Sequence, residues 1–133
     1  VLKPGGTIAF STWPPEMFTG KMFALTAKYV PPPEGVAPPP LWGNQHTVLE
    51  RLGARVKDVV FERDTMLSPA LSPQHLRNFM ETNVGPIVKL VESCAQDPDR
   101  LAAFRHEFDS LIHLYWRDNQ VRMHYLMTRA TKV

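Results

Sequence analysis

A chain of 133 residues that is 44% apolar and 21% charged has the composition of one compact domain with a buried core. Its 15 Lys and Arg and 13 Asp and Glu are interleaved and leave a net charge of +2, so no one-sign field exists to hold a nucleic-acid backbone. The single cysteine, Cys94, excludes an internal disulfide, and nothing reads as a cleavable signal or a membrane-spanning run, so the cytoplasm is the expected compartment, with neither membrane nor nucleic acid as partner.

The chain opens on Lys3-Pro4-Gly5-Gly6, a turn in which Gly supplies left-handed backbone and Pro stops a helix. A helix C-terminus normally leads into such a turn, yet only three residues precede Pro4, so the opening reads as the interior of a domain. Thr7 to Trp13 is a β-favouring run with Ile8, Phe10 and Thr12 on one face and Thr7, Ala9, Ser11 and Trp13 on the other, and is expected to be a buried strand. After Pro14-Pro15, Phe18, Met22, Leu25 and Tyr29 recur at helical spacing and predict an amphipathic helix over 16–30, with Lys21 and Lys28 outside. Pro31 ends it. Residues 31–40 hold six prolines in two triplets, which predict a stiff extended spacer packed over the core, rather than a helix or a ligand for a proline-binding module.

Asn44 caps a short helix carrying Val48, Leu49 and Leu52, with Gly53 past its end. Arg55 to Met66 is a strand in which Val59, Phe61, Arg63 and Thr65 alternate with Val60, Glu62, Asp64 and Met66, a pattern suited to a sheet margin. Ser72-Pro73 starts a helix whose apolar side is Leu76, Phe79, Met80 and Val84. Gly85-Pro86 kinks it before Ile87, Leu90, Val91 and Cys94 resume the period. Asp97-Pro98 begins a long helix through Leu101, Phe104, Phe108, Leu111, Ile112 and Tyr115. A polar corner at Arg117-Asp118-Asn119 leads into a last strand, Gln120 to Thr131. Three strands and four to five helices, without an internal repeat, read as α+β.

Leu2-Lys3-Pro4-Gly5-Gly6 followed by a strand resembles the approach to the fifth strand of class I S-adenosylmethionine-dependent methyltransferases, of the small-molecule type found in ubiquinone and menaquinone biosynthesis. Phe18-Thr19-Gly20-Lys21-Met22-Phe23-Ala24-Leu25 and the Pro-rich run into Leu41-Trp42-Gly43 are similar to one branch of that family. The resemblance implies that the chain is the C-terminal half of a Rossmann-like α/β domain. The strands at 7–13, 55–66 and 120–131 would be the family's fifth, sixth and seventh, the last one antiparallel and lying between the other two. Residues 72–118 would be a helical insertion that covers the substrate. The resemblance also places a small-molecule methyl acceptor near Trp13, Glu16, Met17 and Phe18. Trp13 and Phe18 would serve as aromatic walls and Glu16 would orient or deprotonate a hydroxyl or amine, with Phe79, Met80 and Asn83 as further lining. S-adenosylmethionine would serve the parent enzyme. Its site belongs to the family's first half, and no Gly-x-Gly occurs among the seven glycines, so the chain alone is expected to bind no cofactor and to be inactive.

A non-catalytic reading stands beside this one. The chain would then be a free-standing α+β module that forms a homodimer or takes up another polypeptide along the unpaired edge of strand 7–13. His106, Asp109 and His113 lie on one side of the long helix and are read as a solvated face rather than a metal site. Cys94 is read as a core residue, and Ser11, Ser68 and Ser72 lack the Gly-x-Ser-x-Gly turn of an esterase nucleophile.

Overall fold

The opening turn is the hinge on which the sheet is registered. Gly5 takes φ +78°, a backbone that side chains disfavour, and with Pro4 ahead of it closes a turn in which the Gly6 N–H donates to the Lys3 carbonyl at 3.0 Å. In the computed structural model, which describes residues 2–133, this turn also faces the far end of the chain. The Gly5 N–H donates to the Lys132 carbonyl at 2.9 Å, and the Lys132 N–H donates to the Gly6 carbonyl at 2.8 Å. The first strand is thereby aligned with the last before either has run one residue.

The elements follow as β1 (Thr7–Thr12), α1 (Phe18–Tyr29), a 3-10 turn (Pro39–Gly43), α2 (Gln45–Leu52), β2 (Val56–Pro69), α3 (Pro73–Asn83), α4 (Gly85–Ser93), α5 (Pro98–Tyr115), β3 (Trp116–Arg117) and β4 (Gln120–Lys132). The strands form one four-stranded sheet of order β1-β4-β2, with β3 pairing the start of β4. β4 is antiparallel to each of its neighbours, and it lies between β1 and β2 as expected of the last strand. The fold is a mixed α+β arrangement. No helix among the described residues is long and apolar enough to cross a membrane.

Local chemistry accounts for most boundaries. Asn44, Ser72 and Asp97 each accept a backbone N–H three residues on, at 3.0 Å, and so cap α2, α3 and α5. Gly53, past the end of α2, sits at φ +53°. Asp118 and Asn119 take φ +52° and +56°, the left-handed pair that a two-residue hairpin between β3 and β4 requires. β3 was not expected, because a two-residue strand carries no period of its own. β2 runs three residues past Met66, as far as Pro69, since Ser68 and Pro69 lie on an edge where a missing donor costs no ladder bond.

The strand register decides what each face of the sheet sees. Leu126, Thr128 and Ala130 of β4 are buried on the face shared with Phe10, which meets Trp42 of the 3-10 turn edge-on at 5.9 Å. On the opposite face Val121 and Met123 enter the helical core, Tyr125 and Met127 are half-buried, and Arg129 is exposed. Strand β1 is therefore not the buried strand expected from its composition. Thr7, Ala9 and Ser11 lie open on the face that the helices leave uncovered beyond Met123. The proline segment also departs from expectation: residues 31–39 are exposed rather than packed on the core, and Pro39–Gly43 is helical. Proline is tolerated there because Pro39 and Pro40 occupy the first positions of the turn, where no N–H is needed.

Phe18, Met22 and Tyr29 of α1 meet Ile87, Leu90 and Cys94 and the α5 stripe Phe104, Phe108 and Ile112 in one core. Phe104 stacks on Phe108 at 5.4 Å and takes Tyr29 edge-on at 5.5 Å. The Tyr29 hydroxyl donates to Glu107 at 2.6 Å. That bond, reinforced by burial, pushes the phenol up to about 12.

The α3 face contains a surprise that periodicity alone misassigns. Phe79 is 54% exposed, whereas Arg77 is buried. Arg77 donates to Asp109 at 2.7 Å and to Glu81 at 2.8 Å, and Arg105 grips Glu81 with two bonds of 3.0 and 2.7 Å. Residues 77 and 81 thus meet 109 and 105, and α3 runs antiparallel to α5 along a charged seam. Turning Arg77 and Glu81 inward rotates Phe79 out of the stripe defined by Leu76 and Met80.

Burial disfavours the charged form of Glu81, but the hydrogen bonds from Arg105 and Arg77 outweigh it and hold this carboxyl below its ordinary range. A carboxyl held low in the folded chain binds fewer protons than it does unfolded. Its contribution is full above the unfolded value of about 4.3 and is lost as pH falls toward the folded one. Glu81→Gln is expected to cost about 1–3 kcal/mol, since the buried Arg77 and the part-exposed Arg105 lose a shared counter-charge while Arg77 keeps Asp109. Thermal melts at pH 7 and pH 3.5 check this: the variant should melt lower than the parent at pH 7, with the gap narrowing in acid.

Candidate functional site

Where the chain leaves β1 it is clamped from two sides. Trp13, Pro14 and Pro15 pass between Gly20 of α1 and Gly43 of the 3-10 turn, and a Cβ at Gly20 would overlap the Pro14–Pro15 backbone, at Gly43 the Trp13 carbonyl. The Thr12 hydroxyl donates to the Trp42 carbonyl at 2.9 Å, and the Lys21 N–H to the Met17 carbonyl at 2.8 Å. Trp13 is fixed by backbone packing on both flanks.

The indole of Trp13 lines an open cleft of about 480 Å³ with Ser11, Thr12, Thr65, Met66, Tyr125 and Met127. A second hollow of about 420 Å³, lined by Glu62, Arg63 and Asp64, shares Tyr125 and Met127 with the first. Register explains the shared lining: Ser11 and Glu62 both stand opposite Met127, and Asp64 stands opposite Tyr125. The Tyr125 hydroxyl approaches Asp64 Oδ2 at 3.4 Å. Burial and the nearby Asp64 charge raise its pKa. The result is a floor of Tyr125 and Met127 with the Ser11 hydroxyl on the β1 side and the Glu62 and Asp64 carboxylates on the β2 side. It suits a flat molecule with a few polar substituents.

The expected site residues divide. Trp13 lines the cleft. Glu16 is exposed, and its Oε1 accepts from Arg63 at 3.0 Å, so it bridges the start of α1 to β2. Met17 is half-buried at the N-cap of α1. Phe18 is fully buried and meets Tyr115 edge-on at 5.6 Å, so it is part of the core and not a wall of the cleft. It is the first residue of α1, just past the turn closed by the Met17 N–H on the Pro14 carbonyl at 3.2 Å. Of the expected cover residues, Met80 is core and Phe79 points away. The Asn83 amide is held by the Phe79 carbonyl at 2.8 Å. None of the three lines the cleft. Met66, Tyr125 and Met127 were not anticipated. Alternation puts Tyr125 and Met127 on one face, but only cross-strand register brings them to Trp13.

Other candidates are committed elsewhere. Asp109 serves Arg77, and the His113 ring faces the Asp109 carbonyl at 2.7 Å. Cys94 is 1% exposed in the core. Among the described residues no three His, Cys, Asp or Glu side chains are grouped to hold a metal ion.

No protein-family profile matches the chain. It is similar to the uncharacterized protein Rv1405c of Mycobacterium tuberculosis, with 27% identity over 134 aligned positions, 99% of this chain and 49% of the relative. The uncharacterized protein Mb1440c of Mycobacterium bovis is similar to the same degree, at 27% over the same share. The chain thus spans about half the length of the curated relatives it matches.

The clamp around Trp13 makes a clear prediction. Gly20→Ala and Gly43→Ala should each destabilise the fold by about 1–3 kcal/mol, because the added methyl meets backbone that cannot rotate away. Near-ultraviolet circular dichroism should report altered tryptophan packing in both, whereas Gly35→Ala in the exposed loop should leave that signal unchanged.

Proposed function

We propose that the chain is the acceptor-side half of an S-adenosylmethionine-dependent methyltransferase that acts on a small molecule. The observation that carries the reading is the strand arrangement. An antiparallel last strand lies between β1 and β2, with a Pro-Gly-Gly turn leading into β1, and α1, the 3-10 turn and α2 join β1 to β2. Two features add support: the cleft opens at the C-terminal end of β1, where open α/β sheets carry their ligands, and the uncharacterized relatives are about twice as long as the matched region.

The residues at the cleft do not fit the methyl donor. Gly20 and Gly43 are the glycines that allow close approach, and both are filled by the chain's own Trp13–Pro15 backbone. Glu16, the acidic residue three positions past Trp13, is taken by Arg63. No transfer step is therefore assigned to these residues. Their part is to hold an acceptor: Trp13, Met66 and Met127 bound its flat faces, and Ser11 offers a hydroxyl for its polar edge.

A second reading, a free-standing interaction module without catalytic activity, is favoured by one specific observation. Among the described residues β1 pairs on one side alone, and its Thr7, Ala9 and Ser11 side chains are exposed.

Calorimetric titration of the 133-residue chain with S-adenosylmethionine separates the two sides of the proposal. No saturable heat is expected at millimolar donor, and micromolar binding would show that the donor side is present in these residues. The coding sequence directly upstream of Val1 tests the parent activity: an in-frame Gly-x-Gly turn after a strand is expected, and its absence would sink the methyltransferase reading. In a longer protein of that kind, Trp13→Ala should raise the acceptor KM about tenfold, as for loss of one buried aromatic contact.

A further inference from the structure

The two walls of the cleft stand on strands that do not pair with each other. Ser11 and Trp13 belong to β1 and its continuation, Thr65 and Met66 belong to β2, and β4 lies between with Tyr125 and Met127 as the floor. The ladder also stops short of the indole, because the last paired residue of β1 is Thr12, opposite Leu126. Trp13 therefore has no strand partner. Its place over the floor depends on what holds the turn that follows it.

That turn is tied at three points. The Met17 N–H closes it on the Pro14 carbonyl at 3.2 Å, the Glu16 carbonyl accepts from the Tyr115 hydroxyl of α5 at 3.4 Å, and Glu16 Oε1 accepts from Arg63 Nη2 of β2 at 3.0 Å. The first tie is internal to the turn, and the second joins it to the helices. The third reaches the strand that carries the opposite wall. Register accounts for the reach: Arg63 stands opposite Leu126 and Leu126 opposite Thr12, so the ion pair spans the width of β4 at the level where β1 ends. Glu62 and Asp64 flank Arg63 along β2, but alternation gives them to the face of Met127 and Tyr125. Among the described residues, Glu16 is the carboxylate within ion-pair distance of Arg63.

We infer that Glu16 is a positioning residue: its pair with Arg63 straps the turn behind Trp13 to β2, and so sets the spacing of Trp13 and Met66, the walls between which an acceptor lies. A side chain expected to orient or deprotonate the acceptor thus acts on it through Trp13. Both members of the pair are half exposed, so the pair is screened by salt and adds little to global stability. Its loss loosens one wall without unfolding the chain. For a bound molecule, the consequence rests on the acceptor reading of the cleft given above; the strap itself is a property of the free chain.

Fluorine NMR of the full chain labelled with fluorotryptophan follows Trp13, Trp42 and Trp116 separately, with Trp13→Phe assigning the first. Glu16→Gln and Arg63→Gln should each shift and broaden the Trp13 signal while the Trp116 signal and the far-ultraviolet circular dichroism stay as in the parent. Sodium chloride at about 1 M, where screening acts within about 3 Å, should do the same to the parent and nothing further to either variant. Arg63→Lys keeps the charge of a pair made through one nitrogen, and should keep the parent signal and its salt response. Naphthol, a flat aromatic with one hydroxyl, is the probe for the cleft: it should titrate the Trp13 signal of the parent, with a dissociation constant about threefold higher in Glu16→Gln. A Trp13 signal that Glu16→Gln leaves unchanged overturns the strap, as does one that moves together with Trp116. Naphthol that leaves Trp13 unmoved in the parent overturns the acceptor reading instead, and the signals of the free chain still decide the strap.

Discussion

β4 is the member on which the sheet depends. β1 and β2 share no bond with one another, and each is held by β4 alone. The strand that joins them, Gln120–Lys132, comes after every helix in the sequence. Neither β1 nor β2 has its strand partner, and hence the cleft has no floor, until β4 is in place. The Gly5–Gly6 bonds to Lys132 mark where β4 is registered. Contacts of such long sequence separation are costly to close, and they make the sheet a late and cooperative structure.

Beside this sheet stands a helical unit with its own core. The aromatic run Tyr29, Phe104 and Phe108 supplies the apolar mass, and the Arg77–Glu81–Arg105–Asp109 seam aligns α3 with α5. A buried charge seam adds less net stability than apolar packing of the same volume, but it allows one relative position of the two helices. The same helices cover the sheet only as far as Met123, and the uncovered remainder is the face that carries Tyr125, Met127 and the cleft. The site is thus defined by where the cover stops.

Much of this was legible residue by residue. The caps at Asn44, Ser72 and Asp97, the Pro-Gly-Gly turn and the Asp118-Asn119 corner are local chemistry, and each marks its element where it stands. The failures share one cause. Phe79 fits the apolar period of α3 as well as Met80 does, and only the pairing of Arg77 with Asp109 on another helix decides which is inside. Phe18 and Trp13 are near neighbours of similar character, yet one is core and the other lines the cleft, because a turn over Pro14–Met17 separates the end of β1 from the start of α1. Of the four residues expected at the site, one lines the cleft. Its companions Met66, Tyr125 and Met127 come from strands that are distant in sequence.

By itself the sequence determined the order and kind of the elements, since hydrophobic period, capping residues and turn glycines act over a few neighbours and need no fold to take effect. The strand neighbours, the exposure of each face, the charged seam and the company of Trp13 were decided only in three dimensions. Those depend on register and on which surface is covered by something else, and no local run of side chains encodes either.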